Sequence, residues 1–265
     1  MLDLRSAKKL DGLKLHARDG EIGHVHDFYF DDVQWRVRYL VVETGAWLVS
    51  RKVLIAPEAV SAVALATDEI SVGLTKDQVR NSPEIDTAKP VSRQHEVLLR
   101  NYYGWPGYWN GLFASPGMMA PALAPTPPAL SNEAGLAAET HRPEPRGDPS
   151  LRSAREVSGY ALKASDGELG NITDFIVDRA SWRIRYLVVD TGTWWSGKKV
   201  LIAPAWSEGV DWSASEVAVE LTRAQVKSSP VYDPEKPLSA EYADRLHDHY
   251  ERPRFSETAS ARDDG

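Results

Sequence analysis

Cysteine is absent from this 265-residue chain, which excludes disulfide bonds, thiol nucleophiles and cysteine-ligated metals. Basic residues are not in excess: 31 Lys and Arg stand against 38 Asp and Glu, so the net charge is −7. That sign disfavours nucleic acid and anionic membranes as main partners. No apolar run approaches the roughly 20 residues that span a bilayer, and no secretory signal is recognisable. We therefore expect a cytoplasmic protein without direct membrane insertion.

An internal repeat organises the chain. Shifted by 147 positions, residues 4–103 align without a gap on residues 151–250, and 45 of the 100 positions are identical. Between the copies, residues 111–150 hold eight Pro and eight Ala but no Trp or Tyr, and such a segment buries too little apolar surface to fold. We predict domains over 1–110 and 151–251, a linker over 111–150 and a disordered tail over 252–265.

Each copy has the pattern of short strands joined by turns. Asp19-Gly20 predicts a tight hairpin, and residues 35–42 are rich in strand-forming side chains. Thr75 and Gln78 have the spacing of a capping box, which begins a short helix. The second copy repeats these features. The sequence therefore predicts a mainly β fold of two small barrels in tandem, each with a short C-terminal helical appendix.

Several motifs occur in the same order in both copies. They are a Leu-Arg-Ser-Ala start at Leu4–Ala7, the Asp-Gly hairpin, a Trp-Arg segment leading to Tyr-Leu-Val-Val, and Lys-Val-Leu-Ile-Ala-Pro at Lys52–Pro57. Together they resemble the PRC-barrel family, which includes the cytoplasmic domain of the photosynthetic reaction-centre H subunit and the C-terminal domain of the ribosome maturation factor. The resemblance covers about 4–110 and 151–250. It implies a scaffold that binds proteins and is not itself catalytic.

Aromatic side chains are the candidate contact surface of such a scaffold. One group lies beside a Thr-Gly turn in both copies and is expected to seal the interface between the paired barrels or to meet a protein partner: Trp47, Trp194 and Trp195. A second group precedes the linker: Tyr102, Tyr103, Trp105, Tyr108 and Trp109. This cluster is either a protein-docking patch or an arm folded back over its own barrel.

Acidic and basic residues recur together along the central strands of both copies. The set comprises Asp27, Asp31, Arg36 and Arg38, with Asp174, Asp178, Arg183 and Arg185 at the equivalent positions. Paired carboxylates can perform acid–base catalysis, but that chemistry needs a cleft and shifted pKa values. We favour a structural role for these residues, as cross-strand ion pairs.

The histidines leave one alternative open. His16, His24 and His26 fall on paired strands of the first copy, where three imidazoles could hold Zn²⁺ or Ni²⁺. No histidine is shared by the two copies, and no glycine-rich phosphate loop occurs. We therefore expect a non-enzymatic protein scaffold without a cofactor. The alternatives are a peripheral factor of a photosynthetic reaction centre or another inner-membrane complex, a metal-binding protein or enzyme using these histidines, and, less favoured, a ribosome-associated factor.

Overall fold

The computed structural model describes residues 3–48, 51–64, 66–83, 91, 93–108, 151–195 and 197–255. The chain divides into two compact units, one of residues 1–79 with 150–265 and one of residues 80–149. Both repeats thus contribute to the same unit, whereas the sequence predicts a separate domain for each. The predicted linker over 111–150 and the last ten residues of the predicted tail lie outside the described residues.

The first repeat contributes β1 (Leu4–Ser6), β2 (Lys14–Ala17), β3 (Gly20–Asp31), β4 (Arg36–Thr44), β5 (Lys52–Ile55), β6 (Val60–Ala64), β7 (Glu69–Val72) and helix α1 (Lys76–Arg80). Strands β2 and β3 form the predicted hairpin, in which Ala17 pairs with Gly20. The φ of Gly20 is +135°, a conformation that favours glycine. The capping box before α1 is also present, because the Thr75 N–H donates to Gln78 Oε1 at 2.9 Å.

The unit of residues 80–149 contains helix α2 (Arg93–Tyr103). The second repeat has the same order as the first: β8 (Leu151–Ser153), α3 (Ala154–Val157), β9 (Ala161–Ala164), β10 (Gly167–Asp178), β11 (Arg183–Asp190), β12 (Lys199–Ile202), β13 (Ser207–Asp211), β14 (Glu216–Val219), α4 (Arg223–Ser228) and α5 (Ala240–His249). Helix α4 begins with a complete capping box between Thr222 and Gln225. The equivalent sequences thus form equivalent elements.

The fourteen strands of the described ranges belong to one sheet, ordered β13-β14-β9-β10-β11-β4-β3-β2-β7-β6. Strands β1, β5, β8 and β12 pair beside this path with β10, β4, β3 and β11. The end strands β13 and β6 do not pair with each other within the described ranges, so the sheet is not closed. The mainly β class is confirmed, but the two predicted barrels are continuous with each other through an antiparallel contact of β4 with β11.

The first strand of each repeat lies on the other repeat. Strand β1 runs antiparallel to β10, with Leu4 opposite Asp178, and β8 runs antiparallel to β3, with Leu151 opposite Asp31. The two pairings are equivalent under the 147-residue repeat, so an approximate twofold axis relates them. We call this arrangement the strand exchange. It means that neither repeat completes its sheet from its own residues.

The core is built from the alternating apolar positions of these strands. Tyr39 and Leu40 of the first repeat are fully buried, as are Tyr186 and Leu187 at the same positions of the second. Burial of such side chains typically contributes about 1.5–3 kcal/mol each. Matched sequence positions therefore bury matched side chains on both sides of the approximate twofold axis.

A glycine in each repeat allows two strands to approach closely. A Cβ atom at Gly23 would lie 2.0 Å from the backbone oxygen of Glu43, and one at Gly170 would lie 2.0 Å from that of Asp190. No side chain fits at these distances. This explains why glycine interrupts the apolar alternation at both positions, near the register shifts of the β2–β3 and β9–β10 pairings.

Candidate functional site

Two carboxylates hold the exchanged strands: Asp174, which is buried, and Asp27, which is half-buried. Ser6 Oγ donates a hydrogen bond to Asp174 Oδ2, and the Lys8 N–H donates to Asp174 Oδ1 at 3.1 Å. At the equivalent place, Ser153 Oγ donates to Asp27 Oδ2 at 2.5 Å. We call these contacts the exchange joint. Each carboxylate thus binds the segment that the opposite repeat supplies.

Burial governs the electrostatics of the exchange joint. It raises the pKa of Asp27 and of Asp174, while the hydrogen bonds from the serine hydroxyls and the backbone N–H groups act in the opposite direction. One of those N–H groups belongs to Arg155 and lies 3.0 Å from Asp27 Oδ1. Among the described residues, no arginine forms an ion pair with Asp27 or Asp174; hydroxyl and backbone N–H groups donate to these carboxylates.

The centre of the approximate twofold axis is formed by two tryptophan turns. Trp35 and Trp182 have φ values of 51° and 55°, which are uncommon outside glycine. The Val37 N–H donates to the Trp182 carbonyl at 2.8 Å, and the Ile184 N–H donates to the Trp35 carbonyl at 2.7 Å. These reciprocal bonds between the repeats fix the unusual conformation.

Two of the proposed ion pairs lie close to this axis. Arg38 Nε is 2.6 Å from Asp31 Oδ2, and both side chains are about 5% exposed. In the second repeat Arg185 Nη2 is 3.2 Å from Asp178 Oδ2. Burial opposes ionisation of Asp178, but the hydrogen bonds from Ser181 and Arg185 dominate and lower its pKa.

The remaining arginines of that set have a different environment. Arg36 and Arg183 are directly opposite each other where β4 meets β11. Arg36 is half-buried, and no ion pair joins it to a carboxylate among the described residues. On its other side, Arg36 is opposite Asp31 of β3, and Arg183 is opposite Asp178 of β10. The structure therefore places each of these arginines in register with an aspartate of its own repeat and with the other arginine.

The tryptophans beside the Thr-Gly turns lie against their own repeats. Trp47 Nε1 donates to the Ile22 carbonyl at 2.5 Å, and Lys76 Nζ lies 4.6 Å from the centre of its ring. Lys198 Nζ lies 4.8 Å from the ring centre of Trp195. The side chain of Trp194 is outside the described part of the structure. Trp35 and Trp182 are the tryptophans whose backbone bonds join the repeats. A role of Trp47, Trp194 and Trp195 in binding a partner stays a prediction.

The aromatic cluster before the linker is compact. The rings of Tyr103 and Trp105 stack at 4.2 Å, and Tyr102 meets Tyr103 edge to face at 4.8 Å. Tyr108 Oη donates to Glu96 Oε2 at 2.6 Å. Trp109 lies outside the described residues. Within its own unit the described cluster therefore packs on helix α2.

The C-terminal segment of the second repeat also packs through aromatic rings on its own repeat. Phe255 contacts the rings of Tyr186 and His247, at 5.4 and 4.5 Å. His247 is buried, with Nδ1 2.7 Å from the Pro253 carbonyl, and burial lowers its pKa. The second repeat therefore extends to Phe255, four residues beyond the predicted boundary at 251.

The three histidines of the metal hypothesis have acidic neighbours. His16 lies 3.5 Å from Glu69, whereas His24 and His26 each lie 3.7 Å from Glu43. Burial, together with positive neighbours, lowers the pKa of His26. Over the described ranges, no group of three or more His, Asp and Glu side chains could hold a metal ion. The geometry brings His24 and His26 to one carboxylate and His16 to another.

Two clefts lie at equivalent positions on either side of the axis. The first has a volume of about 510 Å³ and lies between strand β6 and the turn of Trp182, with Arg36 in its wall. The second has a volume of about 470 Å³ and is lined by Trp35, Arg183 and Phe255, among other residues. Aromatic and basic side chains line both clefts, and Asp3 and Glu58 also line the first.

Sequence reasoning missed the residues that join the repeats. In the sequence, these residues stand out only as parts of repeated motifs: Ser6, Ser153, Trp35 and Trp182. Their signal was present, since the Leu-Arg-Ser-Ala start and the Trp-Arg doublet recur unchanged in both copies. Repetition alone does not distinguish a strand that completes its own repeat from one that completes the neighbouring repeat.

Comparisons with known proteins agree with the repeat architecture. None of the helices in the described ranges has the length and apolarity needed to cross a bilayer. A curated relative, an uncharacterized protein of Deinococcus radiodurans, is 31% identical over 88 residues, which cover 33% of this chain and 31% of the relative. The PRC-barrel domain model matches residues 3–79 and 153–228, more than half of the chain. The chain therefore belongs to the PRC-barrel family and carries two copies of its domain.

Proposed function

We propose that this chain is a non-catalytic scaffold or adaptor, whose two PRC-barrel repeats present a binding surface to a protein partner in the cytoplasm. The strand exchange is the observation that carries the proposal. It ties the repeats through backbone pairing and buried hydrogen bonds, so their two clefts keep a fixed relation. A rigid surface loses little conformational entropy when a partner binds.

The chemistry of the exchange joint supports binding over catalysis. Asp27 and Asp174 have raised pKa values, but each accepts hydrogen bonds from a serine hydroxyl and from backbone N–H groups. These donors occupy the oxygens that a general base would offer to a substrate. The carboxylates of Asp27 and Asp174 are thus used to join the repeats.

Affinity purification of the full-length protein from its native host, followed by mass spectrometry, tests the proposal. We expect a protein partner at near-stoichiometric amounts, and isothermal titration of the two purified proteins should give a saturable heat. Recovery of the chain alone under all growth conditions at physiological salt would contradict a scaffold role. Stoichiometric metal in the tag-free protein would instead favour the histidine alternative.

A further inference from the structure

The two ends of the sheet differ in a way that bears on how a partner binds. Strand β13 carries Glu208 and Asp211, both exposed, with Gly209 at a register shift. Charges of this kind protect an edge strand from pairing with another chain. A register shift occurs at the equivalent place in both strands, Ser207/Gly209 in β13 and Val60/Ala62 in β6, so it does not distinguish them. Strand β6, at the equivalent position, consists of Val, Ser, Ala, Val and Ala and carries no charge. The β13 edge is therefore protected from pairing with another strand, whereas the β6 edge is not; we call β6 the open edge.

The open edge borders the 510 Å³ cleft. Val60, Ser61, Ala62 and Val63 form one wall of this cleft, and three of the five β6 side chains are exposed. The Val63 carbonyl already accepts a hydrogen bond from Arg179 Nη1 at 3.1 Å, so it points away from β7 and toward the cleft. The N–H of the same residue points to the same side in an antiparallel strand. The edge therefore offers backbone groups to a further strand.

Arg36 gives this cleft its electrostatic preference. The side chain is half-buried and forms no ion pair with a carboxylate among the described residues; Asp31, opposite it on β3, is bonded to Arg38. Asp3 in the same cleft already pairs with Arg179, and Glu58 lies at the exposed rim. A single carboxylate placed beside Arg36 would accept a charge-assisted hydrogen bond from its guanidinium.

We propose that strand β6 is the docking site for an extended segment of a partner protein, which adds to the sheet edge and places one Asp or Glu side chain beside Arg36. The inference rests on the proposed scaffold function and specifies its partner chemistry. Five residues of strand span about 17 Å, so the segment is about five residues long and alternates apolar with polar side chains.

The experiment selects 12-residue peptides from a random display library on the immobilised full-length protein. Fluorescein-labelled versions of the enriched peptides are then titrated by fluorescence anisotropy. We expect alternating sequences that contain an acidic residue. Arg36→Gln should weaken their binding by about 10-fold or more, because a charge-assisted hydrogen bond is lost.

The repeat itself supplies matched variants. Ser61→Glu with Ala64→Asp transfers the charges of β13 to the equivalent positions of β6, and should weaken binding by at least about 10-fold. The reverse change, Glu208→Ser with Asp211→Ala, should leave binding unchanged. Val63→Pro removes the N–H that a docked strand would bind and should weaken binding, whereas Val210→Pro, its counterpart on β13, should not. If either proline variant unfolds, the Ser61→Glu/Ala64→Asp and Glu208→Ser/Asp211→Ala variants still test the proposal.

Equal binding to wild type and to the Ser61→Glu/Ala64→Asp variant overturns the edge proposal, as does a selection that enriches no peptide. A native partner or peptide whose affinity is insensitive to the β6 changes leaves the scaffold function in place and rejects only its assignment to β6. Peptides that require β6, combined with the absence of any native partner, would reject the scaffold function instead.

Discussion

Replacing Ser6 by alanine removes one hydroxyl group from the exchange joint. Ser6 is 8% exposed, and its hydroxyl donates to Asp174, which is equally buried. A hydrogen bond to a buried charged group typically contributes about 1.5–3 kcal/mol, because its removal leaves the carboxylate oxygen without that donor. We therefore expect Ser6→Ala to lower the free energy of unfolding by about 1.5–3 kcal/mol.

The equivalent change in the second repeat should cost more. Ser153 donates to Asp27 and also accepts from the Glu156 N–H at 3.0 Å, as the cap of helix α3. Loss of such a cap typically costs about 1 kcal/mol. Ser153→Ala should therefore destabilise the chain by about 2.5–4 kcal/mol, more than Ser6→Ala.

Urea unfolding of the full-length protein, followed by tryptophan fluorescence, measures both changes. Ser213→Ala is the matched control, because Ser213 makes the same type of bond to Asp211 at 2.6 Å but in full contact with solvent. We expect no measurable change there. If Ser6→Ala lowered the free energy of unfolding no more than Ser213→Ala does, the buried hydroxyl would not stabilise the strand exchange, and our reasoning would be wrong.

Three further outcomes are expected in the same assay. Gly23→Ala should destabilise the protein by roughly 1–3 kcal/mol or more, because the added Cβ meets backbone at 2.0 Å, whereas Gly209→Ala, in open space, should change little. Folding lowers the pKa of Asp178, so the free energy of unfolding of the wild type should fall as the pH drops from 3.8 through the lowered pKa. Asp178→Asn should not show this fall. If the free energy of unfolding of the variant and of the wild type changed in parallel with pH, the prediction would be wrong. Because burial lowers the pKa of His247, the free energy of unfolding should also fall as the pH drops below 6.5, and His247→Gln should remove this dependence on pH. If the variant kept the same dependence, a group other than His247 would cause it.

The local elements of the fold could be predicted because their causes are local. A glycine at Gly20 permits the turn, and the Thr75–Gln78 spacing begins a helix whatever surrounds it. The 147-residue repeat predicted two equivalent halves. These features depend on conformational preferences and on side chains a few residues apart, which a single sequence displays directly.

The strand exchange could not be predicted because its cause is not local. Leu4–Ser6 has the same composition as Leu151–Ser153, so either segment could pair with β3 or with β10. The choice depends on the path of the chain after β1 and β8. For the same reason the sequence draws attention to Trp47, Trp194 and Trp195, which lie beside the Thr-Gly turns, and does not single out Trp35 and Trp182, which form the reciprocal bonds.

The reciprocal pairing has a consequence for synthesis on the ribosome. Arg152, in the strand β8 that completes the first repeat, pairs with Asp32, a residue 120 positions earlier. At about 5–20 residues per second, translation takes roughly 6–24 s to cover that distance. During this interval the nascent N-terminal half exposes the side of β3 that later receives β8. A chaperone that shields nascent chains would act on this half, and premature termination after the first repeat would leave a product with a second unguarded edge.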